Sequence, residues 1–509
     1  MNRNAHTAGT PRGAKWFAGS ARRGLIVTAA ALAVMLTACV MDGGGGSAHP
    51  WPSDIDGTWQ SAGYGTVYVI KQNKHSGVRE LSVYENSGTS CVKGDAMTAL
   101  GGERDSGGAV SFGEDGDREL TVRRQGGHLL VQEFGSVGHI RMNRLTALPH
   151  CPSETPNDGP ARRLKTLDAF WQNLSEHYPP YAHRRLDLRD RERDHATLKG
   201  NNTDRTLEAL LRRTVRKLGD MHTGITWEGE SSYGLRPGTR DSADLTDADI
   251  EAARSAIKVR LGAELRPVIE GKVEYATGLP GGTGYLRITQ LEELDGEESS
   301  YDDDLARFKR ALDTVFTQGA RDHWRGLILD LRLNDGGHDA LGQELASRLT
   351  RHPHVAFKKR ARDLSAPSGF TPYETVNVRP SRYPGFHGRL ALLVSDLTVS
   401  AGETTAMTLL NRSPAPTLIG RDTQGIFSDQ LSRTLPGGPS LDLSNEDYRN
   451  SAGQSFEGRG LPVDARFRTP VFTSAELEDG CDSALAMALD DLGHRKAGTT
   501  PRCPTKSGG

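Results

Sequence analysis

The chain has 509 residues, 63 Lys and Arg against 65 Asp and Glu, a formal charge of −2, and a hydrophobic fraction of 36 % with 59 glycines. That balance excludes wholesale disorder and collagen-like structure, and the length allows two to four domains. A charge near zero does not call for nucleic acid.

Arg22 and Arg23 precede an apolar run, residues 24–38 (GLIVTAAALAVMLTA), which has the length of a signal-peptide core and is too short for a comfortable membrane span. It ends in Leu36-Thr37-Ala38-Cys39, which resembles a bacterial lipobox and implies a cysteine lipidated at the new N-terminus. The expectation is an exported protein anchored at the outer face of the cell membrane through Cys39, with plain secretion as the alternative. Removal of residues 1–38 takes away five basic groups and no acid, so the mature charge moves from −2 to −7. Polyanion binding becomes less favourable still.

Four further cysteines, Cys91, Cys151, Cys481 and Cys503, suit an oxidising compartment. The simplest pairing by region is Cys91 with Cys151 and Cys481 with Cys503, although the sequence by itself permits three pairings. Neither CxxC nor a Cys/His cluster occurs, so no metal site is expected, and His352 to His354 reads as a surface loop.

Residues 39–50 are a Gly-rich tether. Residues 51–152 hold short alternating segments such as GTVYVIKQ, RELTVRR and HLLVQEF, which predict an all-β accessory domain, a sandwich or small barrel, with no catalytic constellation. After the linker 153–160, apolar residues at helical spacing predict a helical cap over 160–225. The doubly charged run RRLDLRDRERDH within it reads as solvated surface. Residues 226–283 read as a polar insert with one helix, ADIEAARSAIKVRL. From Gly284 short apolar strands alternate with helices, which predicts an α/β core over 284–480, and residues 481–509 read as a disulfide-stapled tail.

Three places in this chain could carry chemistry. In GLILDLRLNDGG, residues 326–337, a strand runs into glycines that let backbone N–H groups face a ligand. In LLVSDLTVSAGET, Ser400 stands at a helix N-terminus, where it is either an exposed nucleophile or the N-cap of an S-x-x-E capping box with Glu403. The third is Asp220-Met221-His222-Thr223, directly after a helix.

Together with TGYLRI, LIGRDTQG and FEGRGLPVD, these motifs occur in an order that resembles the tail-specific (C-terminal processing) and tricorn-core serine peptidases, over residues 165–475. The resemblance implies a ClpP/crotonase-like αββ core behind a helical cap. It implies that Ser400 is the nucleophile and that the N–H of Ala401 with one N–H of Gly336-Gly337 forms the oxyanion hole. Where Ser-Lys members read T-x-G-K, this chain has Thr423-Gln424-Gly425-Ile426, and isoleucine cannot accept a proton. Lys358 and Lys359 have no motif support. The tricorn-type alternative makes His222 the base and Glu457 its partner, by the logic of the serine triad.

Fewer than 60 residues separate Thr223 from Gly281, too few for the PDZ segment of many relatives, and the β domain is a candidate replacement. The expected function is hydrolysis of envelope or extracellular polypeptides with no cofactor. A non-catalytic binder of apolar ligands or peptides, or a serine esterase, is the competing reading of the same site.

Overall fold

The computed structural model describes residues 53–101, 108–149 and 159–493. Cys39, the tether, Cys151 and Cys503 lie outside the described residues. No helix among the described residues is long and apolar enough to cross a membrane.

The first domain is a closed up-and-down barrel of eight antiparallel strands: β1 (Gly57–Ser61), β2 (Thr66–Gln72), β3 (Arg79–Asn86), β4 (Cys91–Leu100), β5 (Val110–Glu114), β6 (Asp117–Gln125), β7 (His128–Glu133) and β8 (Ile140–Leu145). Pairing of β1 with β8 closes it and removes both edges. Alternate residues such as Val67, Leu81, Phe112, Val122 and Leu129 point inward and are fully buried, which is why the period-two pattern was readable.

Helices α1 (Pro160–His177), α2 (Arg189–Gly200) and α3 (Asp204–Leu218) follow. Thr203 caps α3 by accepting the Thr206 N–H, and Gly219 ends it in the left-handed region at φ 63°. Their apolar faces pack on a small antiparallel sheet containing β9 (Gly224–Trp227) and β10 (Glu230–Tyr233), whose other two strands come from residues 430–444. The cap therefore shares one core with the far end of the chain. The charged run is not uniformly solvated: Arg184 and Asp194 are buried, Asp194 accepting from the Trp171 indole and pairing with Arg213.

Helix α4 (Asp247–Leu261), begun by a Thr246/Asp249 capping box, agrees with the expected helix. The rest of the supposed insert departs from expectation. Strands β11 (Arg266–Ile269) and β12 (Val273–Leu279) form the first two positions of the central sheet, so the core begins near residue 266. Hydrophobic periodicity was weak there because β11 lies at a sheet edge, with only Ile269 buried.

That sheet continues through β13 (Thr283–Ile288), β14 (Gly326–Asp330), β17 (Arg389–Val394) and β18 (Thr417–Gly420), the last four parallel. Between them the chain forms α5 (Tyr301–Arg321), α6 (Asp339–Arg348), the hairpin β15 (His354–Lys359) and β16 (Glu374–Val378), and α7 (Ala401–Leu410). His354 thus opens a strand and does not sit in a loop. Strands β19 (Gln430–Thr434) and β20 (Ser440–Ser444) return to the small sheet, and α8 (Ser474–Glu478) and α9 (Ser483–Asp491) end the described chain.

The core is a three-layer α/β/α sandwich. Leu286, Leu327, Leu329 and Leu392 face α5, α6 and α7, whereas Tyr285, Ile328, Ala391 and Leu393 face α4 and α9. Helix α9 is consequently core and not tail: Ala484, Leu485 and Ala488 are fully buried, and Asp482 at its cap pairs with the buried Arg332. Cys91 and Cys481 are each disulfide-bonded.

Candidate active site

β17 leaves the sheet at Val394, and the chain must reverse into α7 within a few residues. The reversal falls on Ser400, at φ 53° and ψ −121°, a conformation that residues other than glycine rarely adopt. Its surroundings enforce it. The Ser400 N–H donates to the Ile426 carbonyl at 3.1 Å, its carbonyl accepts from the N–H groups of Glu403 and Thr404, and the Val399 N–H donates to the Asn334 carbonyl at 3.0 Å. The capping-box alternative is not formed. The Ser400 side chain makes no cap hydrogen bond, and the Glu403 carboxylate instead accepts the N–H groups of Gly425 and Ile426 at 2.7 and 2.6 Å. Burial pushes the Glu403 carboxyl up to about 7 against the pull of those bonds.

β14 delivers Asn334-Asp335-Gly336-Gly337 beside this elbow. Gly336 and Gly337 both have positive φ, 95° and 116°. The Gly336 N–H is taken by the Asn334 side-chain oxygen at 3.0 Å, whereas the N–H groups of Gly337 and Ala401 have no hydrogen-bond partner among the described residues. Asn334 is a residue the sequence reading passed over. It is fully buried, and its amide also donates to the Ile288 carbonyl at 3.1 Å. Space is tight: a Cβ on Gly337 would lie 2.5 Å from the Leu291 carbonyl carbon, and one on Gly402 would lie 2.4 Å from the Asn334 oxygen.

The third segment arrives from the cap. Gly219 turns the chain out of α3 into Asp220-Met221-His222, and the Asp220 carboxylate accepts the His222 main-chain N–H at 3.1 Å. His222 is buried, with Nδ1 2.5 Å from the Ser428 carbonyl oxygen. A carbonyl only accepts, so Nδ1 carries the proton and Nε2 presents the lone pair. Met221, Val399 and Ile426 pack as one apolar cluster, so the residues flanking His222 and Ser400 meet on Ile426, the residue that stands at the lysine position of the T-x-G-K pattern.

Glu457 does not contact the imidazole directly. One carboxylate oxygen accepts the N–H groups of Phe427 and Ser428 at 2.9 and 3.2 Å, and the other pairs with Arg184. The expectation that Glu457 bonds His222 is corrected on this point: the Ser428 carbonyl holds the ring, and Glu457 holds the backbone that bears that carbonyl. Arg184 also lies 3.4 Å from Asp220, which accepts further bonds from Tyr178 and Thr223. Burial opposes ionisation of Asp220, but Arg184 and His222 hold its carboxyl below the usual range. Burial pushes Glu457 up to about 8 in spite of Arg184. Arg184 was missed because the charged run that contains it looked solvent-facing. Lys359 is engaged elsewhere, 3.2 Å from both Asp429 and Glu446, and Lys358 pairs through its backbone with Arg449.

Residues 282–467, which include the elbow, the glycine turn and Glu457, match the family model "Peptidase family S41". The chain carries a serine-type peptidase domain. Its fold is shared with a putative peptidase from Parabacteroides merdae ATCC 43184, at 19 % identity and TM-score 0.54, over 65 % of this chain and 96 % of that one. A lipoprotein from Streptococcus agalactiae aligns at 17 % identity and TM-score 0.38 over 66 % of this chain and 97 % of its own. Among curated proteins no sequence matches. No group of three or more potential metal ligands occurs among the described residues of the peptidase or the barrel.

Proposed function

We propose that the chain is an exported serine peptidase, lipid-anchored at Cys39, that cleaves envelope or extracellular polypeptides through an acyl-enzyme on Ser400. The observation that carries this reading is the Ser400 backbone, held at φ 53° at the head of α7 with its side chain unspent on a cap. Strain of this kind costs about 1–3 kcal/mol and persists where the surroundings over-determine it, commonly at functional sites.

In the reaction His222 Nε2 removes the Ser400 Oγ proton as Oγ attacks the scissile carbonyl. The developing oxyanion lies against the N–H groups of Gly337 and Ala401 at the positive end of α7, with the Gly336 N–H engaged by Asn334. Collapse breaks the C–N bond, and His222 returns the proton to the leaving amine. Water then repeats the sequence on the ester. Glu457 acts as a positioning residue: it fixes Phe427 and Ser428, and Ser428 fixes the imidazole. We read the α/β/α core as ClpP/crotonase-like, and pair Cys91 with Cys151 and Cys481 with Cys503.

The test is labelling of the mature protein with a fluorophosphonate probe and mapping of the adduct. A Ser400 adduct that disappears in His222→Ala is expected, with peptide hydrolysis falling about 10⁴-fold or more in Ser400→Ala. Hydrolysis that survives Ser400→Ala would overturn the reading. No adduct in the intact protein would favour a binding protein on this fold.

A further inference from the structure

A chamber of about 370 Å³ lies where the barrel mouth meets the peptidase domain, within the size range of ligand pockets. Its floor is the inside of the barrel, with Val83, Met97, Leu120, Val131 and Met142, and its roof is the segment 429–433 with Lys359, Asn445 and Glu446. Asp429, on that roof, directly follows Ser428, whose carbonyl holds His222. The chamber therefore begins one residue from the anchor of the proposed base.

Its charges do not balance. Glu85, Glu119, Glu133, Asp429 and Glu446 line it against Lys359 and Arg433. Lys359 is shared between Asp429 and Glu446, and Ser136 of the barrel donates to Asp429 at 2.9 Å. The Glu133 side chain forms no hydrogen bond or ion pair among the described residues, although it stands at the end of β7 and lines this space. The residue is exposed into the chamber, whose walls desolvate it, and together with Asp429 and Glu446 they push its carboxyl up to about 7 against the pull of Lys359.

The chamber wall also holds unpaired donors. Asn445, 1 % exposed, has its side-chain Nδ2 without a partner, as do Arg433 at Nε and Gln430 at Nε2. Buried donors left unmatched are costly and are normally satisfied by something. Carbonyl oxygens would satisfy them.

An apolar floor, an unmatched carboxylate and unmatched N–H donors in one space describe a ligand with an aliphatic stem, a cationic head and amide carbonyls. We infer that this chamber seats a lysine or arginine side chain of the polypeptide substrate, its stem on the barrel floor, its head at Glu133, and its main-chain carbonyls at Asn445 and Gln430. This assignment rests on the proposed peptidase activity and names the substrate class for it. It also makes the barrel part of the substrate-binding surface.

The test uses the mature protein carrying Ser400→Ala and fluorescent peptides that differ only in arginine versus citrulline or lysine versus norleucine, read by anisotropy. The cationic peptides are expected to bind about tenfold tighter than their neutral counterparts. Glu133→Gln, nearly isosteric, should reduce that ratio to less than about threefold, and Val83→Phe, which fills the floor, should weaken the cationic peptides while retaining the ratio's dependence on Glu133. Equal binding of cationic and neutral peptides, or a preference untouched by Glu133→Gln, overturns the inference. So does n-butylguanidinium binding as tightly as the arginine peptide, which would make the ligand a small free cation. Fluorophosphonate labelling of Ser400 in the mature protein with native Glu133 is read separately, beside the charge preference measured with Glu133 intact. A labelled serine with no charge preference sinks the chamber assignment alone, and an unlabelled serine sinks the peptidase reading.

Discussion

His222 is governed by two opposed effects. Burial disfavours the imidazolium and is the larger, whereas Asp220 nearby and the Ser428 carbonyl on Nδ1 favour it, so the net direction is below the ordinary value. A base must be neutral, so kcat/KM is expected to fall as pH drops through the His222 pKa. Because that pKa is depressed, the acid limb should lie below about 6.5, the value for an unperturbed histidine. A limb above pH 7 in a pH–rate profile would contradict the assignment. Glu457→Gln keeps the shape of the residue but puts a donor where only donors face it. A base displaced by a fraction of an ångström can lose up to about a hundredfold, so kcat should fall tenfold or more with KM little changed. Arg184→Met leaves the carboxylates of Asp220 and Glu457 buried without their cation, and unfolding by denaturant should show a loss of about 3–5 kcal/mol.

Between elements, the decisive contact is Asn334. Its side chain joins the end of β13 to the glycine turn, and its carbonyl takes the Val399 N–H just before Ser400. One residue thus sets the distance between the two N–H groups proposed for the oxyanion. Asn334→Ala strands the Gly336 N–H and the Ile288 carbonyl, and each buried unmatched group costs about 1–3 kcal/mol. Gly402→Ala drives a methyl into the same side chain without removing a hydrogen bond. Both variants should retain the α/β/α fold by circular dichroism and lose kcat, and a Gly402→Ala enzyme of unchanged activity would show that this spacing does not matter. The strands and helices of this region were legible because each is a local apolar repeat. The clasp was not, since an asparagine before Asp-Gly-Gly reads as ordinary turn chemistry.

On the scale of the molecule, the barrel is tied to both sides of the site. The Ala340 N–H donates to the Gly135 carbonyl at 3.0 Å just beyond the glycine turn, Ser136 reaches Asp429, and Tyr64 donates to Glu446. Gly135, at φ 87°, has the His338 ring where a Cβ would sit, 2.2 Å away. Gly135→Ala should therefore cost about 1–3 kcal/mol and lower kcat together, because the loop cannot back away without moving α6. A stable Gly135→Ala protein with full activity would show that the barrel is only a spacer.

What the sequence by itself determined is local: the alternating strands of the barrel, the helices with their caps, and the serine, histidine and glycine motifs in family order. These are legible because periodicity and turn chemistry are properties of neighbouring residues. Only the tertiary structure decided that β11 and β12 join the central sheet, that α9 is core, and that Ile426 lies against Met221 and Val399. It also decided that Arg184 meets Glu457, 273 residues away, and that Ser428 stands between Glu457 and His222. Such contacts depend on which surfaces burial brings together, and no residue's neighbours in the chain encode them.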